Sequence, residues 1–160
     1  MAWLWIILAV SGLLLIIYLA LRLLGGRLRR LRDDTRNTVL AELTDEDVLH
    51  LEPTANCFGL RSRGPAQNRG NGCWALTRMR IRFEPWVGRT SLDIPLERIT
   101  AVRLSYGFLG KTRGRPLLVV SFSTPGGDDE AAWLTTDLDA ALQRLKELLP
   151  AEVTAGIPGD

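Results

Sequence analysis

Residues 2–24, AWLWIILAVSGLLLIIYLALRLL, carry a single charge, Arg22. An uninterrupted apolar run of 23 residues leaves few choices: it crosses a bilayer, or it is cut away as a targeting segment. As a helix it extends about 34 Å, enough to span the hydrocarbon core with some tilt. Ser11 and Gly12 are its only weak points, and small residues are tolerated in spanning helices. Trp3 and Trp5 at one end and Tyr18 near the other suit the two interfaces, and Arg22 can extend outward along its own stem. A cleaved signal would need basic residues before the core, a shorter core and a small-x-small cleavage site. None is present, so the sequence predicts a transmembrane helix over 1–24.

The charges lie after this helix. Arg22, Arg27, Arg29, Arg30 and Arg32 follow the apolar core and none precedes it. By the positive-inside rule the amino terminus lies outside and the chain beyond Gly25 is cytoplasmic. The overall net charge of +2 hides two opposite parts. Residues 22–36 carry +4, whereas 38–160 carry −2. The folded portion is not broadly basic, which argues against a nucleic-acid partner. With 46% hydrophobic and 24% charged residues and two cysteines, the fibrous, disulfide-scaffold and wholly disordered classes are excluded. The soluble remainder suits one small core, too small for a separate cofactor domain.

Residues 25–44 read as a basic juxtamembrane linker, with 27–43 able to prolong the helix. Residues 44–47 fit either a capping box or a turn. Strands are predicted at 48–52 with 57–60, then at 73–77, 80–86, 90–94, 99–104, 117–122 and 131–135, separated by turn chemistry. Asp137 is a candidate N-cap for a helix carrying Leu138, Ala141, Leu142, Leu145, Leu148 and Leu149 on one stripe, stopped by Pro150. Residues 151–160 read as a flexible tail. The expected fold is α+β, mainly β: a partly open antiparallel barrel of about seven strands, capped by the C-terminal helix, after an N-terminal transmembrane helix.

GNGCWALTRMRIRF followed by SLDIPLERITAV resembles the core of the GRAM and pleckstrin-homology-like families. The matching positions are Gly72 to Thr77, Phe83, and Ile94-Pro95-Leu96 to Ile99. FGLRSRG, GFLGKTRGRPLLVVSF and AAW are similar to a group of bacterial membrane-anchored proteins with this domain. The resemblance implies a pleckstrin-homology-like domain over 45–150, anchored in the cell's inner membrane. It also implies a turn at 77–79, with Arg80 and Arg82 on one face of the next strand and Ile81 and Phe83 pointing inward.

Catalysis finds no constellation of residues to carry it. The one histidine, His50, falls on an ordinary exposed strand position. There is no CxxC or HExxH, so neither a metal nor a cofactor is implied. Cys57 and Cys73 read as reduced, small hydrophobes in the cytoplasm; outside it a disulfide between them becomes plausible. Gly70-x-Gly72 lacks the helix and Lys-Ser/Thr of a phosphate loop. Asp128, Asp129 and Glu130 read as solvated turn residues. Two function classes remain. Protein interaction or assembly at the membrane, including self-association, comes first because the span already supplies attachment. Recognition of anionic lipid headgroups is the alternative.

If the strands form an up-and-down meander, alternate loops share one pole. Arg61, Arg63 and Arg69, then Arg89, then Lys111, Arg113 and Arg115 would gather at one end, opposite Arg78, Glu97, Arg98, Asp128, Asp129 and Glu130. Such a basic pole would attract phosphate or an acidic segment.

Overall fold

In the computed structural model, which describes residues 2–44, 46–88 and 91–157, α1 (Ala2–Glu42) is a single helix of 41 residues. Gly25 and Gly26 do not interrupt it, since nothing else crowds them and the backbone keeps its own hydrogen bonds. The first half is long and apolar enough to cross a membrane: an 18-residue window has mean hydropathy 2.5, with none of it buried. Its last turns are different. Val39 and Leu43 are buried against Cys73 and Ala75, and Thr35 is buried as well. The expected linker at 25–44 is therefore helix up to Glu42, and its end is part of the folded domain.

Seven strands follow: β1 (Val48–Leu60), β2 (Gly70–Thr77), β3 (Arg80–Pro85), β4 (Leu92–Pro95), β5 (Ile99–Ser105), β6 (Leu117–Thr124) and β7 (Gly127–Leu134). They form one antiparallel sheet in the order β4-β3-β2-β1-β7-β6-β5. β1 continues through Pro53 where two separate pieces are expected, because a bulge between Glu52 and Ala55 absorbs the missing donor. β4 and β5 occupy the two outer edges, yet only a 3-10 turn, Leu96–Arg98, joins them. Three residues reach about 10 Å. The sheet must therefore curl until its edges nearly meet without pairing, leaving an open barrel.

The inside of the curl holds Trp74, Trp133, Phe83, Leu76, Ile81, Leu118 and Val102, all essentially inaccessible. The Trp74 and Trp133 rings pack edge to face, 6.4 Å apart. Ile81 and Phe83 point inward as expected. Arg80 and Arg82 face outward beneath α1, and both are consumed by ion pairs. Arg82 bonds Glu42 and Glu84, both at 2.8 Å, and Arg80 bonds Glu46 and Asp93. Thr44 is in a turn, and Glu46 also accepts from the Thr77 hydroxyl at 2.6 Å. The Arg80 hydrogen bond, opposed by burial and helped by Thr77, holds the Glu46 carboxyl below its ordinary value. These contacts fix direction. Glu46 meets Thr77 and Arg80, Glu42 meets Arg82, and Arg36 lies near enough to act on the Cys73 thiol. α1 thus runs alongside β2 in the same direction.

At the open side of the curl, α2 (Leu138–Leu148) buries Ala141, Leu142 and Leu145, and Leu149 follows them into the core. Asp137 caps it, accepting from the Ala140 amide at 3.2 Å. Behind the cap, the buried Glu52 carboxylate accepts from the Thr54 and Thr136 hydroxyls and the Thr136 amide at 2.6–3.0 Å. The expected flexible tail is folded up to Ile157: α3 (Ala151–Thr154) leads to Ile157, buried in the main core, with Val153 packed beside it. Gly156 bridges Arg103 on the β5 edge. Two apolar side chains four residues apart were enough to seat a segment that composition alone marks as loose.

Candidate functional site

Long loops carry the basic residues, and the sheet decides where those loops go. β1 and β7 are antiparallel, with Leu60 opposite Ala131. A closed meander of seven strands would set them parallel. The β4–β5 connection is the cause, since it carries the chain from one edge of the sheet to the other instead of reversing it beside a neighbour. The β1–β2 loop therefore starts beside the β6–β7 turn, and the expected separation of basic and acidic poles fails. Arg61 Nε donates to Glu130 at 2.6 Å, and the Ser62 amide and hydroxyl donate to Asp129 at 2.9 and 2.6 Å. Asp129 and Glu130 are β7 residues and Asp129 is buried, not solvated in a turn. Burial pushes the Glu130 carboxyl up, but hydrogen bonds from Arg61, Ser121 and Arg103 outweigh it and hold the group below its ordinary value.

The rest of the β1–β2 loop is held by Gln67, whose side chain accepts from the Leu60 amide at 2.9 Å and donates to the Gly64 carbonyl at 2.7 Å. Gly59 makes room for it. At φ +113° any Cβ there would stand 2.6 Å from Gln67 Oε1. The Arg69 guanidinium lies 5.3 Å from the Phe58 ring centre. Arg63 and Arg69 line a mouth of about 420 Å³ that opens onto Phe83 and the exposed Val87. Arg89, assigned to the same pole, lies outside the described residues.

The β5–β6 loop leaves from the other end of the β1–β7 ladder and folds back over the outer face of the sheet. Phe108 anchors it, buried with Phe58, Leu117, Val119 and Ala132. Arg61 sits 5.6 Å over the Phe108 ring, and Lys111 donates to the Gln67 carbonyl. Arg113 and Arg115 are exposed and form no ion pair among the described residues. With Thr54, Asn56, Asn71 and Thr135 they line a groove of about 330 Å³. The six described basic residues thus divide between a mouth, a groove and structural pairs.

Sequence reasoning missed the uncharged half of that groove. Asn56 and Asn71 stand opposite each other in the β1–β2 register, and Asn56 pairs with Leu134 of β7. Only strand register, invisible in local pattern, brings them to Arg113 and Arg115. His50 also departs from expectation. It is half-buried, edge-on to Trp74 at 5.7 Å, and its Nε2 is buried without a partner. Both cysteines are free. Cys57 joins the inner core and Cys73 the layer under α1, on opposite faces of the sheet. Burial pushes each thiol up to about 11.

No family model and no curated protein matches this chain. Among solved structures it is similar to the C-terminal domain of an unknown protein from Leishmania infantum. The two share 13% identity and a TM-score of 0.48, over 78% of this chain and 96% of that one.

Proposed function

We propose that this protein is a non-catalytic, single-pass membrane module with a pleckstrin-homology-like domain on the cytoplasmic side of a bacterial inner membrane, acting by protein interaction or assembly. One observation carries the reading: α1 runs unbroken from its apolar half into packing against β1, β2 and β3. A domain tethered only for attachment is served by a flexible linker. A continuous helix instead sets height and orientation, which matters when a partner of fixed geometry is to be met. Attachment itself needs no lipid affinity from the domain. A photo-crosslinker carried at exposed Tyr106 or Met79 of the full chain in cells tests this. Adducts to a discrete polypeptide, or to a second copy, are the expected result; adducts to lipid alone overturn it.

Headgroup recognition is supported by the direction of the domain. Because α1 parallels β2, the β1–β2 and β3–β4 loops at the β2 start point back toward the apolar half of the helix. Leu24 lies twelve residues before Arg36, about 18 Å along the axis. β2 recovers about 10 Å between Cys73 and Gly70, and the loops extend further. Arg63, Arg69 and Val87 around the mouth would then face anionic headgroups.

A further inference from the structure

We propose that the groove between the β5–β6 loop and the outer face of β1 and β2 binds a phosphate group, with Arg113 and Arg115 as its cationic wall. The inference goes beyond the reading above, since it needs neither the membrane nor a partner protein. Three observations meet here. First, two loop arginines line one small groove without a carboxylate to neutralise them, whereas the arginines on described strands, Arg80, Arg82 and Arg103, are each paired with an acid. The carboxylate bonded to groove residues, Glu52, is already occupied by Thr54, Thr136 and the 136–137 backbone.

Second, two of the groove's residues carry polar atoms that the fold leaves unsatisfied. The Thr135 hydroxyl is buried without a partner, on a residue only 2% exposed, and so is Asn56 Oδ1. Asn56 Nδ2 donates to Asn71 Oδ1 at 2.6 Å, which leaves the Asn71 amide hydrogens for a ligand. Third, the loop is built before any ligand arrives. Phe108 and Lys111 exchange backbone hydrogen bonds at 2.9 Å, the Thr112 hydroxyl donates to the Tyr106 carbonyl at 2.6 Å, and Gly114 takes a positive φ between the two arginines.

The open donors come from two elements: the guanidiniums from the loop and the Asn71 amide from β2. A planar carboxylate is served by one bidentate arginine, whereas donors from several sides match a tetrahedral group with three or four acceptor oxygens.

The full chain in phosphatidylcholine nanodiscs tests the assignment, with inorganic phosphate as probe and chloride at matched ionic strength as reference. Up to about 20 mM phosphate should raise the unfolding midpoint, as binding to the native state alone requires. R113Q/R115Q should abolish the rise with the unliganded midpoint kept, since both side chains are exposed and unpaired among the described residues. R144Q/K146Q on α2 should respond as the parent does. Nanodiscs containing phosphatidic acid form the second arm. If they raise the midpoint and compete with phosphate through Arg113 and Arg115, the source is a lipid headgroup; phosphate binding without that competition points to a soluble phosphate ester. No rise in either arm, or equal loss in the α2 variant, overturns the site.

Discussion

Arg61 and Glu130 are joined by a hydrogen bond of 2.6 Å across 69 positions of sequence, tying the β1–β2 loop to β7. Glu130 also accepts from Ser121 at 3.0 Å and from Arg103 at 3.2 Å. The carboxylate therefore links a loop and three strands, and its protonation matters. Its folded-state value is depressed below the ordinary 4.5, so its contribution is present above that value and is lost as pH falls through the lower, folded one. Thermal unfolding between pH 7 and pH 3 should show the parent losing stability in that window. Glu130→Gln should be less stable at neutral pH by about 1–3 kcal/mol and show a shallower acid decline. A parallel decline in both proteins would mean the ion pairs are spectators.

The capping helix gives a sharper number. Leu145 is fully buried and Leu142 nearly so, both against the inside of the curl. Leu145→Ala should cost about 2–5 kcal/mol in denaturant unfolding, with the slope unchanged. A midpoint equal to the parent's would show that α2 does not cover the core.

Much of this fold was legible locally. The resemblance implied that Ile81 and Phe83 point inward, and the leucine stripe with Asp137 marked α2, because each depends only on neighbours along the chain. What escaped depends on register and connection. The β4–β5 link contains ordinary turn residues, and nothing in Leu96–Arg98 says that the chain passes from one sheet edge to the other. That single step set Asp129 beside Ser62 and dissolved the basic pole. The groove was half legible: Arg113 and Arg115 stood out as charges, whereas Asn56, Asn71 and Thr135 gained meaning only once three strands were aligned.

The C-terminal segment offers a test of what composition hid. A Cβ on Gly156 would stand 2.9 Å from both Arg103 Cβ and the Val102 carbonyl oxygen. Gly156→Val should detach the segment from the β5 edge and withdraw Ile157 from the core. Limited proteolysis should then remove the last residues of the variant faster than those of the parent, with a stability loss of about 1–3 kcal/mol. Equal protection in both would mean the edge bridge is dispensable.

The thiols bear on topology in an unexpected way. Were Cys57 and Cys73 neighbours, a disulfide would report an oxidising compartment; placed on opposite faces of the sheet, they cannot join without unfolding. Both should resist an aqueous maleimide in the native state and react once denatured, whichever side of the membrane they occupy. Topology must therefore be read elsewhere, from the five arginines after the apolar run. Because α1 is continuous through Glu42, the domain should lie on the side where those charges remain. A reporter fused after Asp160 should behave as cytoplasmic, and moving the arginines ahead of Trp3 should weaken or invert that preference. Fusion after Asp160 also leaves Ile157 in the core, so a lost signal would reflect orientation and not an unfolded domain. Export of the unaltered fusion would reverse the assignment and place the mouth and groove outside the cytoplasm.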